Sequence, residues 1–310
     1  MCFISKKKYA ESNKMIDKKK LVCIILNYND AKTTLKLIKK ICNYQSFSQI
    51  IVIDNCSTDN SLEYLSGRLD QFEHISIIKT LNNGGYGSGN NFGVNIAKKK
   101  FGAEYALIAN PDVEFSEALV ENLYNYISHK EKCAVVSAVQ QPGDSHQNLV
   151  AAWNIPTKWQ TILKGELLLG GLLDYYNRKK GETKQGEWHE ADCVAGSFLM
   201  IDIKKFLSVN GYDEDFFLYM EESVLGRKLK AAGFTTEIYM GEDYIHYHSV
   251  SISKSLSILH QRKTLLKSVS LYLKKYCAAN YLEIFISHLF FSVGTIELMI
   301  LKAFRRFMEG

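Results

Sequence analysis

The chain has 310 residues, and its 46% hydrophobic and 23% charged side chains are typical of a soluble globular protein with one large domain or two. The net charge of +5 is segregated, because residues 1–20 and 254–310 are basic whereas residues 21–253 are acidic overall. An acidic body argues against nucleic acid as a partner. The seven cysteines form no C-x-x-C pair, which excludes a disulfide frame or zinc site and indicates a reducing, cytoplasmic compartment.

Short apolar runs alternate with helical patterns in the first 140 residues. The runs predict buried strands. They cover residues 21–26, 50–53, 75–79, 105–109 and 134–139. Helices are predicted over residues 33–44, 94–100 and 116–130, with another after the polar segment 54–61. This alternation predicts an α/β fold with a mostly parallel central sheet and flanking helices.

The pattern loosens after the fifth strand. We expect residues 140–190 to form a long insertion that closes over the site or meets the partner substrate. Strands are then predicted over residues 191–201 and 235–240, a helix over 223–232, and helices from 256 to the end. Residues 244–249 are expected to be extended, which would place His246 and His248 on one face.

Polar residues follow three of the predicted strands. Pro111 ends the fourth strand, so Asp112 should lie just past its carboxyl end, where open α/β sheets bind ligands. Asp112 could hold a hard divalent cation that bridges phosphates, although a simple turn is an equally good interpretation of this stretch alone. Asp54 ends a neighbouring strand and could accept a hydrogen bond from a base, and Tyr28 could stack on that base.

The glycine-rich segment 84–93 does not fit the G-x-G-x-x-G spacing of a dinucleotide loop. We expect it to form a loop that lets the backbone approach a nucleotide-linked sugar, with Asn90 and Asn91 supplying polar side chains.

Two further groups carry possible chemistry. His246 together with Asp112 would form a mixed imidazole and carboxylate site suited to Mn²⁺ or Mg²⁺, and a structural histidine is the alternative. Glu221 and Glu222 precede a predicted helix, where acidic residues are favoured by the helix dipole. One of them could instead act as a general base directed into the cleft.

Together these segments resemble family 2 glycosyltransferases with the GT-A fold, and among them the bacterial rhamnosyltransferase-like branch that builds capsule, O-antigen and cell-wall polysaccharides. The resemblance covers about residues 21–253 and follows the family's order. The matching segments are 25–29, 53–59, 82–93, 110–113, 196–199, 216–222, and His246 with Ser251.

The resemblance implies an inverting transferase that uses a nucleotide-sugar donor and Mg²⁺ or Mn²⁺. Asp112 would ligate the metal on the diphosphate, with His246 as a further ligand, and Glu222 would be the catalytic base. The expected nucleotide-binding residues are Asn27, Tyr28, Asn29, Asp54, Asn83, Gly84, Gly85, Asn91 and Asn110. The residues expected on the acceptor side are Glu221, His248 and Trp188.

The resemblance also divides the chain. Residues 1–20 would be a basic tail and residues 21–253 a catalytic domain, with a nucleotide-binding half (21–140) and an acceptor half (141–253). Residues 254–310 would be a C-terminal helical segment.

The acid motif departs from the family pattern. This chain reads Glu-Glu-Ser-Val-Leu from residue 221, where the family usually has E-D-x-D-L. The change hints at a divergent acceptor, and it leaves open a nucleotide-sugar-binding module with an impaired site. A nucleotidyltransferase or dinucleotide enzyme is disfavoured, because residues 26–30 carry neither signature.

The C-terminal segment is amphipathic and basic over Leu256–Tyr276 and largely apolar over Ile284–Leu301. Eighteen residues that include His288 and Glu297 make a poor membrane span. We expect helices that pack on the catalytic body, form a homodimer, or lie on the cytoplasmic face of the inner membrane. No secretory signal is expected. The donor remains open between dTDP-rhamnose and a UDP-sugar, and the expected acceptor is a glycan or lipid-linked saccharide.

Overall fold

In a computed structural model of the chain, the described residues are 20–143, 151–165, 187–247 and 258–309. They form a central sheet with helices on both faces and a C-terminal helix pair. The strands are β1 (Leu21–Asn27), β2 (Gln49–Asp54), β3 (Ile75–Lys79), β4 (Tyr105–Ala109), β5 (Val113–Glu114), β6 (Cys133–Pro142), β7 (Ala152–Trp153), β8 (Trp188–Ala191), β9 (Cys193–Val194), β10 (Phe198–Asp202) and β11 (Thr235–His246). The described helices are α1 (Ala31–Ile41), α2 (Ser61–Leu69), α3 (Gly85–Phe101), α4 (Glu117–Ser128), α5 (Lys158–Leu163), α6 (Ile203–Ser208), α7 (Glu221–Ala231), α8 (Ile258–Tyr276) and α9 (Tyr281–Glu309).

The strand order in the main sheet is β3-β2-β1-β4-β10-β6-β11-β5. Strand β8 pairs with residues 236–239 of β11, on the edge of β11 that does not pair with β6. Strands β1 to β4 are parallel, and β6 and β11 run in the same direction. Strand β10 enters between β4 and β6 and is antiparallel to both. The predicted fold class, an α/β fold with a mostly parallel central sheet, is confirmed.

Strands β1 and β2 are buried on both faces, which explains their uninterrupted apolar sequence. On one face Cys23 and Ile25 contribute to a core that α1, α2 and α4 cover. On the other face Val22 and Ile24 pack in a core with α3, α6 and α7. The carboxyl ends of β1, β2 and β4 therefore meet at one edge between two layers of helices.

The predicted loop over residues 84–93 is wrong from Gly85 onward, because helix α3 begins there and not at residue 94. Its glycines allow close packing on the sheet. A β-carbon at Gly93 would lie 2.7 Å from Ile24 Cγ2 and 3.1 Å from Ile53 Cγ1. Sequence reasoning read the glycines as loop residues because their intrinsic helix propensity is low, and tertiary packing overrides that preference here.

Two predicted extended segments also differ. Residues 191–201 were expected as one strand, but they are divided among β8, β9 and β10, with a turn over 195–197. The turn backbone bonds to other segments instead of a neighbouring strand, since Ala195 N–H donates to Ala151 O. Strand β11 ends at His246, and His248 lies outside the described residues together with most of the predicted insertion and the basic tail.

We predict that Gly93→Ala destabilises the protein by about 1–3 kcal/mol, because the added methyl group overpacks the contact between α3 and β1. Gly67→Ala is the matched control. It lies in helix α2 with nothing within 4 Å of the added carbon, so it should stabilise by about 0.5–1 kcal/mol. Urea denaturation checks both values. Equal effects of the two variants would contradict the close packing of α3.

Candidate active site

The ends of β1 and β2 are joined by a buried polar network. Asn27 and Asp54 are aligned in the sheet and both are fully buried. The Asn27 amide donates to Asp54 Oδ1 at 2.9 Å and accepts from the Thr34 hydroxyl. The Ser57 hydroxyl donates to Asp54 Oδ1 at 2.6 Å, and the Ser57 N–H donates to Oδ2. Both carboxylate oxygens of Asp54 therefore accept hydrogen bonds from the surrounding chain. Recognition of a base by Asp54 stays a prediction.

Asn29 fixes the loop that presents Tyr28. Its φ of +53° lies in the left-handed region that asparagine tolerates. Its side chain accepts from Thr58 N–H at 2.8 Å and donates to the Thr58 hydroxyl at 3.1 Å. These bonds occupy the Asn29 amide and leave the Tyr28 ring 38% exposed at the sheet edge, where a base could stack on it.

The start of helix α3 contacts the segment that precedes the two acids. Asn83 Oδ1 accepts from the Gly85 N–H at 3.0 Å. Gly85 has a φ of +92°, and a β-carbon there would lie 2.1 Å from the Phe217 carbonyl oxygen. The next residue, Tyr86, donates its N–H to that oxygen at 3.0 Å. Gly85 thus permits a close approach to protein backbone. The predicted roles of Asn83, Gly84 and Gly85 toward a nucleotide stay predictions.

Asn91 is committed to a structural contact on the same helix. Its amide donates to the Tyr212 carbonyl and to Glu214 Oε1, both at 2.9 Å, and accepts from the Tyr212 N–H at 2.9 Å. These bonds tie α3 to the start of the segment 212–220. Contact of Asn91 with a nucleotide stays a prediction, and it would require Asn91 to exchange these hydrogen bonds.

Asp112 and His246 lie side by side although 134 residues separate them in the sequence. Strand β5 follows Asp112 and pairs with the end of β11, where Val113 is opposite His246. This pairing places His246 Nε2 at 3.2 Å from Asp112 Oδ1. Both side chains are buried, and Asn110 is held nearby through its N–H to the Ser197 carbonyl. The structure therefore brings together the two residues that were predicted to share a metal.

A polar network behind His246 sets the orientation of its ring. Gln140 Nε2 donates to His246 Nδ1 at 2.9 Å, and Gln140 Oε1 accepts from the Tyr244 hydroxyl at 2.8 Å. The Tyr244 hydroxyl also contacts Ser197 Oγ at 2.8 Å. With Nδ1 as the acceptor, Nε2 carries the proton and donates to Asp112. Sequence reasoning missed Gln140 and Tyr244, although the spacing of Tyr244 and His246 on one strand face was a signal.

The pair of Asp112 and His246 suits a divalent cation. A carboxylate and an imidazole are ligands that Mn²⁺ accepts, and Mg²⁺ typically takes one or two carboxylates plus phosphate oxygens. Within the described ranges no group of three or more His, Cys, Asp or Glu could hold a metal. The protein would thus supply two ligands, and the donor diphosphate and water the others. Ligation through Nε2 requires the other tautomer, with Nδ1–H donating to a rotated Gln140 amide.

The segment before the two acids is strained. Tyr219 and Met220 have φ values of +73° and +72°, in the left-handed region that side chains of this size rarely adopt. Neighbouring elements hold this conformation, since the Ser268 hydroxyl donates to the Leu218 carbonyl at 2.6 Å and Tyr86 N–H binds the Phe217 carbonyl. Backbone strain that the surroundings maintain is typical of functional sites.

The two acids differ in environment. Glu222 is partly exposed and packs on Gly196, where a β-carbon would lie 2.7 Å from Glu222 Oε1. Burial raises the pKa of Glu222. Glu221 is only 3% exposed, and its Oε1 has no hydrogen-bond partner among the described residues. Burial and the charge of Glu222 raise the pKa of Glu221 well above its usual value. Glu222, which has more access to solvent, is therefore the more readily ionised of the two acids, and burial opposes ionisation of Glu221.

Trp188 lies away from these groups in its described contacts. Its ring stacks on Tyr126 with centroids 3.5 Å apart and also contacts Tyr239 at 4.6 Å. The three aromatic rings cover the sheet where β8 pairs with β11. Acceptor contact by Trp188 stays a prediction.

Comparison with known proteins decides the family. The sequence model of the family described as "Glycosyl transferase family 2" matches residues 22–203, more than half of the chain. The chain belongs to glycosyl transferase family 2. This membership confirms the predicted resemblance and the glycosyltransferase class. The matched region contains the Asn27, Asp54 and Asp112 segments and ends before Glu222 and His246.

Two relatives are named as sugar transferases. The chain is 26% identical over 202 residues, 65% of its own length, to a low-salt glycan biosynthesis hexosyltransferase of Haloferax volcanii and spans 59% of that relative. It is 23% identical over 229 residues to the N-acetylglucosaminyl-diphospho-decaprenol L-rhamnosyltransferase of Mycobacterium tuberculosis, covering 66% of this chain and 68% of the relative. The family 2 chain therefore has relatives that include a rhamnosyltransferase.

A solved structure shares the fold. The crystal structure of GalNAc-T7 with UDP, GalNAc and Mn²⁺ superposes with a TM-score of 0.59 at 13% identity, over 82% of this chain and 48% of that one. At this identity the likeness shows the fold alone.

We predict that the buried acids make the stability of this family 2 protein fall as pH rises. The folded state holds protons at Glu221 and Glu222 more tightly than the unfolded chain, whose carboxyl pKa is near 4.5, so the free energy of unfolding decreases from that pH up to the raised values. Glu221→Gln should remove the Glu221 share, so its free energy of unfolding should fall less than that of the wild type between pH 5 and pH 7.5, by up to about 1.4 kcal/mol for each pH unit over which Glu221 holds its proton. Chemical denaturation at both pH values measures the difference. An identical pH dependence of the variant and the wild type would contradict the buried, protonated Glu221.

Proposed function

We propose that this protein is an inverting, metal-dependent glycosyltransferase that moves a sugar from a nucleoside diphosphate sugar to a growing, lipid-linked bacterial surface glycan. The observation that carries the proposal is the arrangement around the turn at residues 195–197. Gly196 contacts Glu222, and the Ser197 carbonyl holds Asn110 beside the Asp112–His246 pair. A base and a pair of metal-binding side chains thus flank one turn at the carboxyl edge of the sheet.

The donor would bind along this edge. The exposed Tyr28 ring offers a stacking surface for the base, and Asp54 holds the surrounding loop in place. Asp112 and His246 would hold the divalent cation, which stabilises the charge that develops on a leaving diphosphate. A donor of dTDP-rhamnose or a UDP-sugar fits this proposal.

Glu222 would act as the base. Its carboxylate takes the proton of an acceptor hydroxyl while that oxygen bonds to the anomeric carbon and the bond from this carbon to the diphosphate oxygen breaks. One displacement with one base inverts the anomeric configuration. Burial raises the pKa of Glu222 and so makes it a stronger base, while burial and the charge of Glu222 disfavour a second charge on Glu221.

The acceptor class is supported by a relative. The mycobacterial relative is named for transfer of L-rhamnose to N-acetylglucosaminyl-diphospho-decaprenol, a lipid-linked saccharide. With a lipid-linked acceptor, the proposed location of the protein is the cytoplasmic face of the membrane.

We predict that Glu222→Gln lowers kcat by about 10²–10⁴-fold, because the amide cannot accept the acceptor proton. The matched control is Glu221→Gln, which should stay within about threefold of wild type, because burial already disfavours the ionised form of Glu221 and the proposal gives it no part in the proton transfer. Transfer assays with a panel of nucleotide sugars measure both. If Glu221→Gln were the inactive variant and Glu222→Gln the active one, the assignment of the base would be reversed. If neither variant altered turnover, the protein would be a catalyst with other residues in this role.

We predict that transfer stops in excess chelator and returns with Mn²⁺ or Mg²⁺. Asp112→Asn should abolish the increase in melting temperature that a UDP- or dTDP-sugar with Mn²⁺ gives, because the carboxylate ligand is lost. Asp202→Asn is the control, since Asp202 caps α6 and pairs with Lys205 far along β10 from the turn. Full activity in chelator would refute the metal role of Asp112 and His246.

A further inference from the structure

Helix α9 exposes a continuous apolar stripe. The side chains on it recur every three or four residues, which places them on one helix face. They are Leu282, Phe285, Leu289, Val293, Ile296 and Ile300, each 48–66% exposed. The stripe extends over roughly 27 Å of helix at 1.5 Å per residue. Only 17% of the apolar window Tyr281–Leu301 is buried, so α9 is not the core helix of a soluble domain.

The opposite face of α9 packs on helix α5 of the catalytic body and on helix α8. Glu283 pairs with Lys158 at 2.6 Å, and Ser287 and Phe291 are buried. The Arg262 guanidinium donates to the Phe291 carbonyl at 2.9 Å and to the Thr295 hydroxyl at 3.2 Å. A helix held in this way lies along the protein surface. By length and composition Tyr281–Leu301 is long and apolar enough to cross a bilayer, unlike the shorter stretch expected from sequence to be a poor span. Its attachment along the protein surface favours a position in the interface.

A row of lysines borders the stripe. Ser270 of α8 bonds to His288 of α9 at 3.0 Å. His288 lies three residues after Phe285 and one before Leu289, which places it at the edge of the apolar stripe. On α8, Lys263, Lys267 and Lys274 are exposed and lie on the same helix face as Ser270. The four positions 263, 267, 270 and 274 follow one another at intervals of four, three and four residues. The lysine row and the apolar stripe are therefore neighbours on one surface.

The charge of the whole segment agrees with that of the row. Residues 254–310 carry nine Lys and Arg against three Glu, whereas the preceding body is acidic. Apolar side chains beside a basic row are complementary to an anionic bilayer surface, where the stripe enters the acyl boundary and the lysines reach the headgroups.

We propose that the α8–α9 surface, formed by this stripe and lysine row, docks the protein on an anionic lipid bilayer. The proposal rests on the proposed function only in that a lipid-linked acceptor would be presented there. Helix α8 also contacts the segment 212–220, which directly precedes Glu221 and Glu222. Lys275 pairs with Asp213 and Asp215, both at 2.7 Å, and Ser268 holds Leu218. The docked surface is thus joined directly to the backbone that leads into Glu222.

Co-sedimentation of the full chain with lipid vesicles tests the docking. We expect binding to phosphatidylcholine vesicles containing about one third phosphatidylglycerol, and at least roughly tenfold weaker binding to phosphatidylcholine alone. The double variant Leu289→Glu/Ile296→Glu should bind the anionic vesicles at least roughly tenfold more weakly, because it places charge in the stripe. Lys263→Glu/Lys267→Glu should weaken binding about fivefold or more and reduce its salt dependence.

Met240→Glu is the matched control, because Met240 is 49% exposed, as Leu289 is 50% exposed, but lies on β11 away from α9. It should bind vesicles as the wild type does. Size-exclusion chromatography with light scattering, run without lipid, should show the same mass for wild type and the stripe variant. Donor hydrolysis in solution should be unchanged in every variant, so loss of docking is distinguishable from loss of the enzyme.

Three results would overturn the proposal. The first is absence of wild-type binding to anionic vesicles, and the second is a stripe variant that binds as wild type does. The third is a wild-type dimer that the stripe variant converts to a monomer, since a second copy of the chain would then cover the face.

Discussion

The turn at residues 195–197 is the constraint on which the site depends. Strand β10 runs against its neighbours, so its first residue, Phe198, pairs with the last residue of β4, Ala109, and the turn lies at the carboxyl edge of the sheet. The Gly196 carbonyl accepts the Tyr86 hydroxyl at 2.6 Å, and its α-carbon packs against Glu222. A larger residue at 196 would displace the acid. This single antiparallel strand thus sets the spacing between the start of α3, Glu222 and the Asp112–His246 pair.

Buried polar networks hold the two ends of the site. Asn27, Asp54 and Ser57 bond to one another at the ends of β1 and β2, and Gln140 and Tyr244 support His246 at the other end. Burying polar groups is costly unless each finds a partner, and a satisfied network is rigid because every alternative loses a bond. The side chains that would meet substrate, Tyr28 and Glu222, are positioned by groups that are themselves fixed.

The surroundings of Glu222 depend on parts of the chain beyond the family match, which ends at residue 203. The segment 213–220 lies between the start of α3 and helix α8. Tyr276 and Lys275 hold Asp213, while the Phe217 carbonyl binds the start of α3. The strained Tyr219 and Met220 follow directly. The position of Glu222 is therefore determined jointly by the central sheet and the C-terminal helices. The α8–α9 surface is connected to Glu222 through these contacts.

The amino-acid sequence was sufficient to predict the features that depend on near neighbours. Apolar runs located β1 to β4, and the polar residues that end them, Asn27, Asp54 and Asp112, could be assigned to one sheet edge from alternation alone. The tertiary structure decided what depends on distant contacts. Helix α3 begins at Gly85 because glycines there pack on β1 and on the Phe217 backbone, and Gln140 orients His246 from a neighbouring strand. Burial distinguishes Glu221 from Glu222, two identical residues in sequence, because only the packed fold gives them different solvent access.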